Sequence, residues 1–229
     1  MNILAFDTCL GAVSAAVRWR SARGDWMLRE AYEACTSGHA ERLFPMIAEV
    51  MEGAGLEFSA IDRIAVTLGP GTFTGVRGGI AAARAIALAT GRPVVGMTSL
   101  EVMAHRGRLQ LGPRAERRPL AVAVDARRGM LYLQTFDERG GASSSAVLVS
   151  PQQAVRAIAD LPFHVVGSGA AAVAALAGPQ AEASLPDLQP HARFLAMAAP
   201  SLAPIESVAP LYLRQPDAKP SQPAPTVQP

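Results

Sequence analysis

Hydrophobic positions along this chain switch between a period of two and a period near 3.6, and the switches predict its elements. Asn2 to Thr8 is an apolar run carrying Asp7 near its end and predicts a buried strand. Leu10-Gly11 turns it into Ala12 to Arg18, its hairpin partner, and Trp26 to Ala34 follows as a third strand through the turn at Ser21 to Gly24. The helical period then takes over: Leu43, Ile47, Val50, Met51 and Ala54 fall on one face, with Gly53 and Gly55 at the end. Proline is not accommodated deep in a regular helix. Either this helix begins near Phe44, with Pro45 in its first turn, or residues 39–44 form a kinked extra turn.

Ile64 to Leu68 predicts a buried strand that breaks at Gly69-Pro70-Gly71 and leads into a helix of mostly small residues up to Gly91. In that helix Gly75, Gly79, Ala83 and Ala87 recur every fourth position and form one nearly flat ridge. A glycine inside a helix costs about 1 kcal/mol relative to alanine, so Gly78-Gly79 calls for a tightly packed neighbour. Two neighbours fit equally well, the chain's own sheet or a helix of another subunit. A phosphate loop does not fit, because Gly75-Val76-Arg77 stands where Gly-Lys-Ser/Thr is needed. A dinucleotide fingerprint fails as well, with Thr74 in place of its glycine.

Pro93 to Met97 predicts a further strand, and Ser99 to His105 a short helix capped by Ser99. Arg106, Arg108, Arg114, Arg117 and Arg118 then cluster among Gly and Pro without periodicity, predicting a basic linker that is either a solvated loop or a contact for a nucleic-acid phosphate backbone. Pro119 to Asp125 is again an apolar strand ending on aspartate, with Gly129 four residues on and a strand, Met130 to Phe136, after it. Asp7 and Gly11 stand in the same relation about 118 residues earlier, which predicts a duplicated fold. The second copy continues as a strand at Ala146 to Val149, a helix at Pro151 to Ala159 and a strand at Phe163 to Val166. Gly167-Ser168-Gly169 opens an alanine-rich helix ending near Gly178, and His191 to Ala199 predicts the last helix. The expected division is a first lobe over 1–106, the linker over 107–118 and a smaller second lobe over 119–188. A return segment over 189–214 and a disordered tail over 215–229 complete it, the tail holding five prolines in its last 14 residues.

With 229 residues, half of them hydrophobic, the chain can bury a sizeable core, and a net charge of +2 selects no partner class. Arg77 and Arg84 interrupt the best candidate for a membrane span, and the start, MNILAFDT, has no basic head typical of a secretory signal. Two cysteines, Cys9 and Cys35, make no disulfide framework, so a cytoplasmic location is expected.

Together these pieces resemble the two-lobed actin, sugar-kinase and Hsp70 superfold: an α/β, ribonuclease H-like fold, duplicated, with the second lobe reduced. More narrowly, ILAFDTCLGAVSAAV at the start, GHAERLFPMI around His39, LGPGTFTGVRGGIAAARAIAL and VDARRGMLY resemble the TsaB (YeaZ) family, as does the ending PLYLR. The resemblance implies a role in forming threonylcarbamoyladenosine beside the anticodon of tRNA, as a non-catalytic partner of a paralogous TsaD-type transferase. Contact with a TsaE-type ATPase is implied too, and a homodimer is an alternative pairing. It places the partner interface on the two first-lobe helices, at His39, Glu41, Leu43, Phe44 and Ile47 and at Phe73, Gly75, Arg77, Gly79, Ala83 and Ala87.

The rival is a magnesium-dependent ATPase or kinase of the same superfold. Asp7 and Asp125 match its magnesium-holding carboxylates, and Gly167-Ser168-Gly169 matches a loop lying against adenosine. Candidate nucleotide contacts are therefore Asp7, Thr8, Gly11, Asp125, Gly167 and Gly169. Against it, Thr8-Cys9-Leu10-Gly11 offers no lysine or row of hydroxyls to a triphosphate, and both aspartates also read as hairpin caps. No cofactor of its own is expected, with ATP or ADP and magnesium left to an interface with partners. No metal is expected either, because Leu43 stands where a TsaD-type site has its second histidine, and His105, His164 and His191 show no metal spacing. Neither a Gly-x-Ser-x-Gly elbow nor a His-Glu-x-x-His helix supports a peptidase.

Overall fold

A computed structural model describes residues 1–158 and 162–214. Two five-stranded sheets carry it, and they repeat one topology. In the first, β1 (Ile3–Asp7) pairs antiparallel with β2 (Ala12–Arg20), and β2 with the edge strand β3 (Trp26–Ala34). On its other side β1 pairs parallel with β4 (Arg63–Thr67), and β4 with β5 (Val94–Met97). In the second sheet β6 (Leu120–Asp125) pairs antiparallel with β7 (Leu131–Phe136), and β7 with β8 (Val147–Val149). Its parallel side is β9 (Phe163–Val166) and then β10 (Ala181–Ser184). Strand for strand the second sheet copies the first, with a shorter antiparallel edge, so the chain has the duplicated, two-lobed actin-like fold with a reduced second lobe.

Helices α1 (His39–Ala54) and α2 (Phe73–Thr90) cover one face of the first sheet, with Leu43, Ile47, Val50, Val76, Ile80 and Ile86 packed on Leu4, Phe6, Val13 and Val66. Pro45 lies inside a helix that runs on from His39, so the extra turn is continuous with the rest, and Gly55, not Gly53, ends it in the left-handed region at φ 64°. The opposite face is covered by the C-terminal helix α6 (Ala192–Ala198), which returns the end of the chain to the first lobe. Helices α4 (Pro151–Ala157) and α5 (Ala170–Ala177) cover the outer face of the second sheet. The ends of the expected 151–159 helix at residue 159 and of the tail at 215–229 lie outside the described residues.

The expected linker is largely helical. Helix α3 runs from Ser99 to Leu111, and a 3-10 turn continues to Arg117. Thr98, not Ser99, caps it, in a reciprocal pair of bonds with Glu101. Val102 packs in the first-lobe core while Leu100, Met103 and Ala104 pack on Leu120, Val122 and Val124, so α3 is the wall shared by both lobes. Its arginines are engaged by the chain itself: Arg106 donates to the Gln189 carbonyl at 3.0 Å and Arg108 to that of Ala115 at 2.9 Å. Arg118 pairs with Glu182 at 3.3 Å, Arg114 is exposed, and the side chain of Arg117 lies outside the described part. Among the described side chains, Arg106 and Arg108 are thus held by carbonyls of the chain, while Arg114 and Arg118 stand exposed.

Candidate functional site

The small-residue ridge proves to face inward. Thr72 caps α2 through its hydroxyl on the Gly75 amide. A Cβ on Gly75 would stand 2.0 Å from the Thr8 carbonyl oxygen, and one on Gly79 would stand 2.7 Å from the Thr8 hydroxyl. Ala83 is fully buried in the first-lobe core. So Gly75, Gly79 and Ala83, with Leu43 and Ile47 of α1, are buried within this chain, against its own first-lobe core. His39 and Ala87 are half-buried, while Glu41, Phe44, Phe73 and Arg77 of the expected set stand in solvent.

A second small stripe lies on the side of α2 turned away from that ridge and was missed. It consists of Gly78, where an added Cβ would meet only the Ala40 methyl at 3.8 Å, and then exposed Ala81, Ala85 and Leu88. Phe44 and Ala48 of α1 extend it across the helix pair. Phe44 is 51% exposed and Leu88 88%. The signal was available: with Val76, Ile80 and Ile86 placed inward, Ala81, Ala85 and Leu88 fall among the positions left facing out, beside Phe73, Arg77 and Arg84.

The first-lobe hairpin is sealed. Asp7 is fully buried; its Oδ1 accepts from the Thr67 hydroxyl and the Cys9 amide, while Oδ2 has no partner among the described residues. Thr8 donates to the Gly75 carbonyl at 2.7 Å, the Gly11 amide to Gln189 Oε1 at 2.8 Å, and the Thr72 amide to the Cys9 carbonyl at 2.7 Å. His39 Nε2 lies 2.7 Å from the Leu10 carbonyl oxygen. Burial raises the Asp7 carboxyl to about 6, although its bonds to Thr67 and Cys9 pull the other way.

In the second lobe Asp125 is exposed, its Oδ1 accepts from the Arg127 amide at 2.7 Å, and its own amide donates to the Ser168 hydroxyl oxygen at 3.0 Å. Arg127 and Arg128 hold φ of 64° and 53° in this turn. A Cβ on Gly167 would stand 2.6 Å from the Ala123 carbonyl oxygen, which also accepts the Gly169 amide at 2.9 Å, so the 167–169 loop is closed on β6. Between the lobes a cavity of about 300 Å³ is bordered by Leu10, Thr72, Asp125, Arg127 and the segment Leu211–Arg214. A hydrated magnesium needs carboxylate oxygens open to water. Of the candidate nucleotide residues, Asp7 is buried, the Gly11 amide is held by Gln189 and the 167–169 loop by Ala123, while Asp125 alone of the two carboxylates is open to water.

A pH dependence follows from Asp7. Its folded pKa lies above the unfolded value of about 4, so the stability it contributes is fully present below that value and is lost as pH rises through about 6. Asp7→Asn is expected to stabilise the chain at pH 7 by about 1–3 kcal/mol and to flatten its stability between about pH 4 and 6. Urea unfolding at a series of pH values measures both, and an unaltered slope in the variant would refute the assignment.

Two sheets of one topology, each with its antiparallel hairpin and parallel side, define the class: a two-lobed, actin-like α/β protein. A sequence profile for the family described as TsaD, tRNA N6-adenosine threonylcarbamoyltransferase, matches residues 33–209. The Escherichia coli K12 protein named tRNA threonylcarbamoyladenosine biosynthesis protein TsaB is 36% identical over 153 residues, 65% of this chain and 62% of that protein. An uncharacterized Mycobacterium tuberculosis H37Rv protein, Rv3421c, is 36% identical over 224 residues, 96% of this chain and 94% of its own. The solved YeaZ structure from Pseudomonas aeruginosa superposes with a TM-score of 0.75 at 28% identity, covering 93% of this chain and 99% of that one. A second P. aeruginosa structure, described as similar to peptidase YEAZ, gives 0.77 at 30%, with the same coverage. The chain belongs to the TsaD family of that profile, in its TsaB (YeaZ) group. Among the described residues no helix is long and apolar enough to cross a membrane.

Proposed function

We propose that this chain is a cytoplasmic subunit in the formation of threonylcarbamoyladenosine in tRNA, acting as the non-catalytic partner of a TsaD-type transferase. The names carried by its TsaB relatives support the pathway. The observation that carries the partner role is the outer face of α1 and α2, where Phe44, Ala48, Ala81, Ala85 and Leu88 leave an apolar surface with little side chain on α2. Such a surface lets a second helix pair approach closely and exclude water. A TsaE-type ATPase completes the assembly, and a second copy of this chain competes for the same face. ATP or ADP with magnesium belongs to the partners' surfaces in this reading, since Asp7 is sealed from solvent.

Reconstitution tests it. Purified TsaD-type and TsaE-type proteins, with ATP and a threonylcarbamoyl donor, are combined with tRNA in the presence or absence of this chain. Modified adenosine is expected only when the chain is present, and Asp7→Asn is expected to support formation within about twofold of the unaltered chain. Modification at full rate without the chain, or loss of it with Asp7→Asn in a folded protein, would contradict the proposal.

A further inference from the structure

The end of the chain is anchored to both lobes. From Ile205, whose amide donates to the Val94 carbonyl at 2.8 Å, it runs along the flank of α2, where Arg84 Nε donates to the Val208 carbonyl at 3.0 Å. The Leu211 amide then donates to the Leu68 carbonyl at 2.7 Å, and its own carbonyl oxygen lies 3.0 Å from where a Cβ on Gly69 would be, so glycine there admits the segment. Past this point the chain crosses the gap, and Arg214 donates to the Ala126 carbonyl in the β6–β7 turn at 2.8 Å. First lobe and second lobe are thus tied by one short stretch that also lines the cavity between them.

One contact joins this stretch to the docking face. The Tyr212 ring stacks on Phe73 with centroids 5.6 Å apart, and the Arg77 guanidinium lies 4.8 Å from the Phe73 ring centroid. Tyr212 and Phe73 are each nearly half exposed. On α2, Phe73, Arg77 and Arg84 occupy one flank, and the Ala81, Ala85 and Leu88 stripe lies directly beside it. A body laid on that stripe therefore reaches the Arg77–Phe73–Tyr212 row before it reaches solvent. Phe73 and Tyr212 already match at an offset-stacked distance and lose little rotamer freedom when covered.

We propose that residues 205–214 are an interlobe latch which the docked partner presses shut through Tyr212, so that partner binding fixes the two lobes against each other. The latch rests on the docking reading above, and it adds that the Phe73–Tyr212 pair transmits docking to the gap between the lobes. A partner that covers the pair removes the strap's freedom to lift, and the Leu211–Leu68 bond and the Arg214–Ala126 bond are held with it. By reciprocity, a strap already held down presents a more ordered docking face and strengthens association.

Hydrogen exchange at the Leu211 amide, read in the full chain with and without a purified TsaD-type protein, tests the latch. Saturation with the partner is expected to slow that amide about tenfold. In Tyr212→Ala the slowing is expected to vanish and association to weaken about fivefold, while Tyr212→Phe keeps both. Tyr212 is outside the buried core, and circular dichroism checks that the variants fold. Association at normal strength with an unchanged Leu211 exchange rate would overturn the latch alone. No association by the unaltered chain would overturn the docking reading and the latch together.

Discussion

Gly75→Ala is expected to destabilise the chain by about 2–4 kcal/mol, and its neighbour Gly78→Ala to stabilise it by about 0.5–1 kcal/mol. The two positions share a helix and a residue type and differ in what a methyl would meet. At Gly75 the new atom would stand 2.0 Å from the Thr8 carbonyl oxygen, which is backbone and cannot swing aside, and 2.6 Å from the capping Thr72 hydroxyl. The start of α2 would have to lift off the hairpin, loosening the Thr8 to Gly75 bond and the Thr72 to Cys9 bond that seat it. At Gly78 the methyl would meet only the Ala40 side chain at ordinary contact distance, so the usual gain of alanine over glycine in a helix remains. Thermal unfolding separates them: Gly75→Ala lowers Tm by on the order of 10 °C and Gly78→Ala raises it slightly. Equal effects of the two would show that the inward ridge is misplaced.

Ala85→Glu is expected to weaken association with a TsaD-type protein about 100-fold or more while leaving the chain's own stability within about 0.5 kcal/mol. Ala85 is exposed on the stripe that includes Ala81 and Leu88, so a glutamate there costs the monomer nothing in packing. In a close helix contact the same side chain both holds the surfaces apart and carries a charge out of water. Gly79→Leu behaves differently. It overpacks the chain's own interior against Thr8 and Val66, so any loss of association there comes with loss of fold.

The contrast between these variants shows where the sequence was legible. The strands were read nearly residue by residue, because β1, β4 and β6 are apolar runs closed by turn residues, and the repeated strand-aspartate-glycine pattern announced the second sheet. Strand β10 was missed: Ala181–Ser184 is short and carries little apolar pattern, and its pairing with β9 supplies what its composition lacks. The linker was misjudged because Arg106 and Arg108 look like a solvated run, whereas the fold uses their guanidinium groups to satisfy carbonyls from distant segments. Both helices form as read, but the ridge of glycine and alanine on α2 faces the chain's own sheet. A spacing of four finds a stripe of small residues and says nothing about which way it faces; only the phase of Val76, Ile80 and Ile86 does. Asp7 and Asp125 looked equivalent in the sequence, each closing the first strand of its sheet. Packing of the α2 start against the first hairpin buries one and leaves the other in solvent.

The central claim is that the outer face of α1 and α2 is the surface that holds a TsaD-type partner. Titration calorimetry of that partner against three chains tests it: the unaltered protein, Ala85→Glu on α2, and Ala172→Glu, an equally exposed alanine on α5 of the second lobe. The account predicts that the unaltered chain and Ala172→Glu bind alike and that Ala85→Glu gives no measurable heat at the same concentrations. Equal binding by all three would place the partner elsewhere on the molecule and contradict it.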